Sequence, residues 1–218
     1  MAFRGAIFDL DGVIVDTVPL HFAAWKRLFE GTFNIPFDMK TYEDKVDGKP
    51  RLDGIRAMLP NLSEEEVVKA GDFKQSYYLE LLRSGKIKKF DGAFRLIREL
   101  LKHSILMAAA SSSKNTKEIL AKVNLTDDFI AIIDGYDIKH GKPHPEIFLK
   151  AAKALQLKAK ECVVFEDSMA GVEAAKRGGF ICVGIDRHNR PDNYKLADLH
   201  VPDLKHVNYV VLKKLFGK

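Results

Sequence analysis

The chain has 218 residues, 46% of them hydrophobic and 30% charged, with a formal net charge of +5; this suits one large domain, or a domain carrying a smaller insert, and not a disordered chain. No run approaches the roughly 20 apolar residues of a membrane span, and the N-terminal apolar segment is too short for a signal peptide, so a cytoplasmic protein without a membrane partner is expected. The lysines are spread along the whole chain with no arginine-rich block, which argues against nucleic acid and leaves a positive field that would draw small anions towards a cleft.

From the N-terminus, the apolar run Ala6-Ile7-Phe8 reads as a buried strand, and Asp9-Leu10-Asp11-Gly12 follows it directly. Two carboxylates two residues apart then emerge at the C-terminal end of that strand, where parallel sheets place their chemistry. Gly12 lets the backbone turn sharply beside them. Residues 16–89 contain no further strand of comparable strength. Residues 19–29 are amphipathic, and the capping-box pattern Ser63-x-x-Glu66 opens a helix running to about Leu82. This stretch is a helical insertion after the first strand, with its hinge at the chain crossings near 14–18 and 87–91.

Beyond it, apolar runs at 106–110, 130–133, 163–165 and 181–185, with a weaker one at 199–201, alternate with helical patterns at 93–101, 115–123, 145–155 and 170–177. The fold expected is α/β: a doubly wound, Rossmann-like parallel sheet core (1–15 and 90–218) with an inserted α-helical cap domain (16–89). Cys162 and Cys182 lie in separate strand-like runs, without the spacing of a zinc site or disulfide framework, and are expected to be buried thiols.

Four polar groups fall at successive strand ends: Asp9 with Asp11, the Ser111-Ser112-Ser113-Lys114-Asn115 segment, Lys142 in Gly-Lys-Pro-His-Pro, and Glu166-Asp167-Ser168. Each alone has a bland explanation as a turn, a loop or a helix cap. Together they suit phosphoryl transfer. A carboxylate can attack phosphorus and divide one hard displacement into two. Magnesium favours carboxylate, carbonyl and water oxygens, which Asp9, the Asp11 backbone carbonyl and Asp167 could supply, with Glu166 as a further candidate. A hydroxyl or amide of the Ser111 loop and the Lys142 ammonium would share the charge on the transferring oxygens, and Asp11 would move a proton.

Over essentially the whole chain this order resembles the haloacid dehalogenase superfamily, in the group with a helical cap after the first strand that includes β-phosphoglucomutase and sugar-phosphate phosphatases. FDLDGVIVDT is similar to its first motif, Ser111 to the second, Lys142 in GKPHPEIF to the third and FEDSMAGVEAA to the fourth. The resemblance implies Asp9 as nucleophile, Asp11 as general acid/base, Ser111 and Lys142 as phosphate ligands, and Asp9, Asp11, Glu166 and Asp167 around Mg2+. His21 and Trp25 in HFAAWK, Gly48 and Arg51 in VDGKPR, and Ser113-Lys114-Asn115 look like substrate-contacting positions of β-phosphoglucomutase. With Thr17 at the hinge and Ser112, these are the substrate-binding candidates.

Two departures bear on the reaction. A lysine precedes the loop glycine in the mutase, where Asp47 stands here, and a second cap lysine aligns loosely with Leu79. A mutase must hold a doubly phosphorylated intermediate, so losing two cations favours a hydrolase. The expectation is therefore a magnesium-dependent phosphohydrolase acting on a small phosphorylated metabolite, as a monomer, with β-phosphoglucomutase-like isomerisation as the alternative. A dehalogenase would need neither magnesium nor Asp11, and an inactive scaffold would have lost the nucleophile or the lysine.

Overall fold

The computed structural model describes residues 2–217 apart from Gly48, Lys86, His188, Arg190 and the side chain of Asn193; the candidate Gly48 thus lies outside the described residues. The chain divides into two compact units, one of Met1–Val15 with Lys89–Lys218 and one of Asp16–Lys88. In chain order, β1 (Gly5–Phe8) and β2 (Val15–Asp16) precede α1 (Val18–Phe33), α2 (Met39–Thr41), a π-helical turn at Tyr42–Val46, α3 (Arg51–Met58) and α4 (Glu64–Ser84). Then follow β3 (Lys88–Lys89), α5 (Asp91–Lys102), β4 (Leu106–Ala110), α6 (Thr116–Lys122), β5 (Ala131–Ile133), α7 (Glu146–Ala154) and β6 (Cys162–Glu166). The chain ends with α8 (Met169–Arg177), β7 (Ile181–Ile185), β8 (Leu199–Val201) and α9 (Tyr209–Phe216).

The first unit is built on a six-stranded sheet in the order β5-β4-β1-β6-β7-β8, while β2 and β3 form a separate two-stranded sheet. The ladders of the large sheet are parallel. Central strands of such a sheet are covered on both faces and so read as unbroken apolar runs, which is why Gly5–Phe8 and Cys162–Glu166 are buried throughout. Successive side chains alternate between faces. Ile7, Ala108, Ala110, Val164 and Cys182 pack with Ile147, Phe148 and Ala151 of α7 and Val172 of α8. The neighbouring positions Phe8 and Phe165 stack with ring centroids 4.5 Å apart. Both cysteines are free and buried, and burial pushes the Cys162 thiol up to about 12.

The inserted unit has its own core of Trp25, Leu28, Phe29, Phe37, Tyr42, Val46, Ile55, Val67 and Ala70. Its long helix α4 starts where the sequence indicates. Ser63 Oγ accepts from Glu66 N, and the Glu66 carboxylate accepts from Ser63 N at 2.8 Å, closing the capping box. The helix α3 carries little sequence signal, because Gly54 at its centre disfavours helix. The glycine sits close against the inserted unit's core, where a Cβ would come within 3.2 Å of the Trp25 ring.

Candidate active site

The strand order reverses at β1, and in such sheets ligands bind beyond the carboxyl ends of the strands at that point. Asp9 N donates to Phe165 O at 3.0 Å, so the first residue past β1 is tied to β6. Lys142, from the loop before α7, donates to Asp9 Oδ1 at 2.6 Å and to Glu166 Oε1. All three side chains are buried, with 7% of Lys142, 7% of Asp9 and 1% of Glu166 exposed. The other Glu166 oxygen, Oε2, accepts from Ser168 N at 2.7 Å and Ser168 Oγ at 2.9 Å, and Ser168 Oγ in turn accepts from Gly171 N to cap α8. A Cβ on Gly171 would fall 1.8 Å from Glu166 Oε1, so only glycine fits under this carboxylate.

Asp11 is followed by a tight turn at Gly12, and Asp167 lies against it. Gly12 has φ +78°, and a Cβ there would sit 1.7 Å from Asp167 Oδ2. The Asp167 carboxylate therefore rests on the bare Gly12 backbone, and its own carbonyl accepts from Tyr194 Oη at 2.5 Å. Ser111 N donates to Ile133 O at the end of β5. Its Oγ donates to Asp11 Oδ2 at 3.3 Å and accepts from Ser113 N at 3.1 Å. Ser113 Oγ accepts from Asn115 N at 3.2 Å, and the Lys114 ammonium lies 4.8 Å from the Tyr136 ring centroid. The structure thus brings Asp9, Asp11, Ser111, Lys142, Glu166 and Asp167 to one end of the sheet, with the 112–115 loop alongside.

Burial pushes the Asp9 carboxyl up to about 8, with Glu166 and Asp11 adding to the rise against the pull of Lys142. Burial alone would lower the Lys142 ammonium, but the Asp9 and Glu166 carboxylates hold it above the ordinary lysine range. One cation thus serves two buried carboxylates, Asp9 and Glu166. Among the described residues no three carboxylates converge as a preformed metal shell.

A second polar group lies within the inserted unit. Thr17 is buried, and Trp25 is 3% exposed within that unit's core. Lys74, absent from the sequence-based candidates, is only 4% exposed. Its Nζ lies 2.8 Å from His21 Nδ1 and within 5.0 Å of the Trp25 and 4.8 Å of the Tyr78 ring centroids. An ammonium only donates, so Nδ1 accepts and the imidazole proton sits on Nε2. A buried lysine thus stands on α4 five residues before Leu79. A lone lysine among polar helix positions gave no signal. Arg51 Nη1 donates to Gln75 Oε1 at 2.7 Å, and its Nη2 lies 3.9 Å from Asp72.

Burial, reinforced by Lys74, holds His21 well below the usual histidine value of 6.5. In an NMR titration the His21 ring should remain neutral as the pH falls through 6.5, and Lys74→Met should bring its midpoint up. An unshifted midpoint in the wild-type protein would contradict the pairing.

Residues 3–179 match the family model described as haloacid dehalogenase-like hydrolase. A β-phosphoglucomutase of Mycobacterium bovis is 34% identical, covering 86% of this chain and 82% of its own. A phosphorylated carbohydrates phosphatase of Thermotoga maritima is 32% identical over 81% of this chain and 82% of its own. The crystal structure of β-phosphoglucomutase from Clostridium difficile superposes with a TM-score of 0.91 at 30% identity, covering 100% of this chain and 98% of that one. With the strand-end carboxylates and lysine in the order of that fold, the chain belongs to the haloacid dehalogenase-like hydrolase family, in its group of β-phosphoglucomutase-like phosphoryl-transfer enzymes.

Proposed function

We propose that the protein is a magnesium-dependent phosphohydrolase acting on a small phosphorylated sugar through an aspartyl phosphate on Asp9. The observation that carries this reading is the buried Lys142 ammonium shared between Asp9 and Glu166 at the carboxyl end of the central strand, with Asp11 and Asp167 close by. An all-oxygen donor set of Asp9, the Asp11 carbonyl and Asp167, with Glu166 nearby, fits a hard divalent cation. When bound, Mg2+ would supply compensation for charge on the transferring phosphoryl group.

Lys142 is bonded to Oδ1 of Asp9, which leaves Oδ2 to attack phosphorus. As the Oδ2–P bond forms and the bond to the leaving oxygen breaks, Asp11 delivers a proton to that oxygen. Water then attacks the aspartyl phosphate, Asp11 takes its proton, and phosphate leaves Asp9 free again. Ser111 and the 112–115 loop, together with Lys142, hold the oxygens of the transferring phosphoryl group.

Mutase activity is the second reading, favoured by one observation: the inserted unit holds a buried cation, Lys74, beside His21 and Trp25. Asp47, in place of a lysine, tilts the balance to hydrolysis. Incubation with β-glucose 1-phosphate and Mg2+, with and without a bisphosphate primer, separates the two. Free phosphate supports the hydrolase and glucose 6-phosphate the mutase. Turnover that survives chelation of Mg2+ would remove the metal from the proposal.

Arg51 presents a planar fork suited to a remote phosphate or carboxylate of the substrate. Arg51→Ala should raise KM by about tenfold or more while kcat changes little, as for loss of binding made equally in ground and transition states. An unchanged KM would exclude Arg51 from substrate binding.

A further inference from the structure

Arg187 follows β7 and belongs to none of the groups above, yet its guanidinium makes three contacts within the first unit. Nε donates to Gly12 O at 3.0 Å, Nη1 donates to Asp203 Oδ2 at 2.9 Å, and the guanidinium carbon lies 3.5 Å from the Phe90 ring centroid. The side chain is 19% exposed. Gly12 and Phe90 tie it to the segment that carries Asp11. Within it, Gly12 N donates to Val15 O at 2.8 Å, and Ile14 N and Val15 N donate to Leu10 O. Phe90 N donates to Ile14 O at 3.0 Å, so the ring under Arg187 is fastened to the same turn. Asp203 is fixed in turn, accepting from Lys205 N at 2.7 Å and filling the space where a Gly92 Cβ would stand.

The turn's own hydrogen bonds use the Gly12 amide but not its carbonyl, and Gly12 is its most torsionally free residue. A bond from a charged donor to that carbonyl is stronger than a neutral one. It restrains the Gly12–Val13 peptide, and with the Gly12 amide already held by Val15 O both polar groups of the residue after Asp11 are then fixed. We propose that Arg187 is a positioning residue: by holding the Gly12 carbonyl it sets the orientation from which the Asp11 carboxyl delivers and takes its proton. The proposal rests on the phosphoryl-transfer reading given above. Asp203 and Phe90 steer the guanidinium, and Asp11 alone meets the reacting oxygens.

Two phosphate monoesters of similar size test it. Dinitrophenolate leaves without a proton, whereas phenolate needs one, so only phenyl phosphate cleavage depends on a well-placed Asp11. With Mg2+, Arg187→Ala and Arg187→Lys should keep the initial burst from 2,4-dinitrophenyl phosphate within about twofold. They should lower kcat on phenyl phosphate by about 10- to 100-fold, with KM little changed. Arg187→Lys keeps a charge for Asp203 without the fork, and it carries the test if the alanine variant does not fold. Equal losses on both esters, or no loss on either, would overturn the proposal, because a general weakening of the fold does not discriminate leaving groups. A wild-type protein that cleaves neither ester would instead overturn the phosphoryl-transfer reading on which the proposal stands.

Discussion

Asp9→Asn should reduce turnover by at least about a thousandfold, because the change removes the attacking carboxylate at nearly constant volume. The fold should survive, and the reason lies in the surroundings of Asp9. Its carboxyl is buried and pushed up to about 8 from 3.8. A folded-state value above the unfolded one means that folding favours the protonated form. The associated stability is complete below 3.8 and is lost as the pH rises through about 8. Metal-free wild-type protein should therefore become easier to unfold between pH 4 and 8, and Asp9→Asn should flatten that dependence. Unfolding midpoints across this range, with phosphate release measured in parallel, check both parts. Residual activity above roughly a tenth of wild type would remove Asp9 from the nucleophile's role, and a lower midpoint for Asp9→Asn at pH 8 would contradict the electrostatic account.

The largest loss of stability is expected from Lys142→Met. Its ammonium is the cation bonded to both Asp9 and Glu166, and methionine fills a similar volume without charge. Removing one side of a buried ion pair leaves the other uncompensated, at a typical cost of about 3–5 kcal/mol. Here two carboxylates are left, so the cost should lie at the upper end of that range. It should be greater at pH 8 than at pH 5, where the abandoned carboxyls take up protons. Urea unfolding at the two values measures this, and adding Glu166→Gln should recover part of the loss as a coupling between neighbours. Activity should vanish as well, since the same ammonium faces the phosphoryl oxygens. A cost below about 1 kcal/mol would show that the pair is solvated.

Much of this site was legible in the sequence. Asp9 and Asp11 could be placed at a strand end because Ala6-Ile7-Phe8 is apolar on both faces, as a central parallel strand must be. Ser63 with Glu66 announced the start of α4 because a capping box satisfies backbone donors within four residues of sequence. Element limits moved only slightly: the first strand begins at Gly5, and α5 runs from Asp91 to Lys102. Lys74 and Arg187 were not legible. A lysine on an otherwise polar helix reads as a solvated residue, and only the packing around it, which leaves Lys74 4% exposed beside His21, Trp25 and Tyr78, shows that it is enclosed.

By itself, then, the sequence determined what short-range physics controls: the alternation of strands and helices, the caps, the glycine at the Asp11 turn, and which residue types stand at each strand end. Only the tertiary structure decided their pairing. Lys142 reaches Asp9 across 133 residues of chain, and Arg187 reaches Gly12 across 175. Such distances are closed by the order of strands in the sheet, β4 and β6 flanking β1. That order follows from how whole elements bury their faces against one another, which no local pattern of residues encodes.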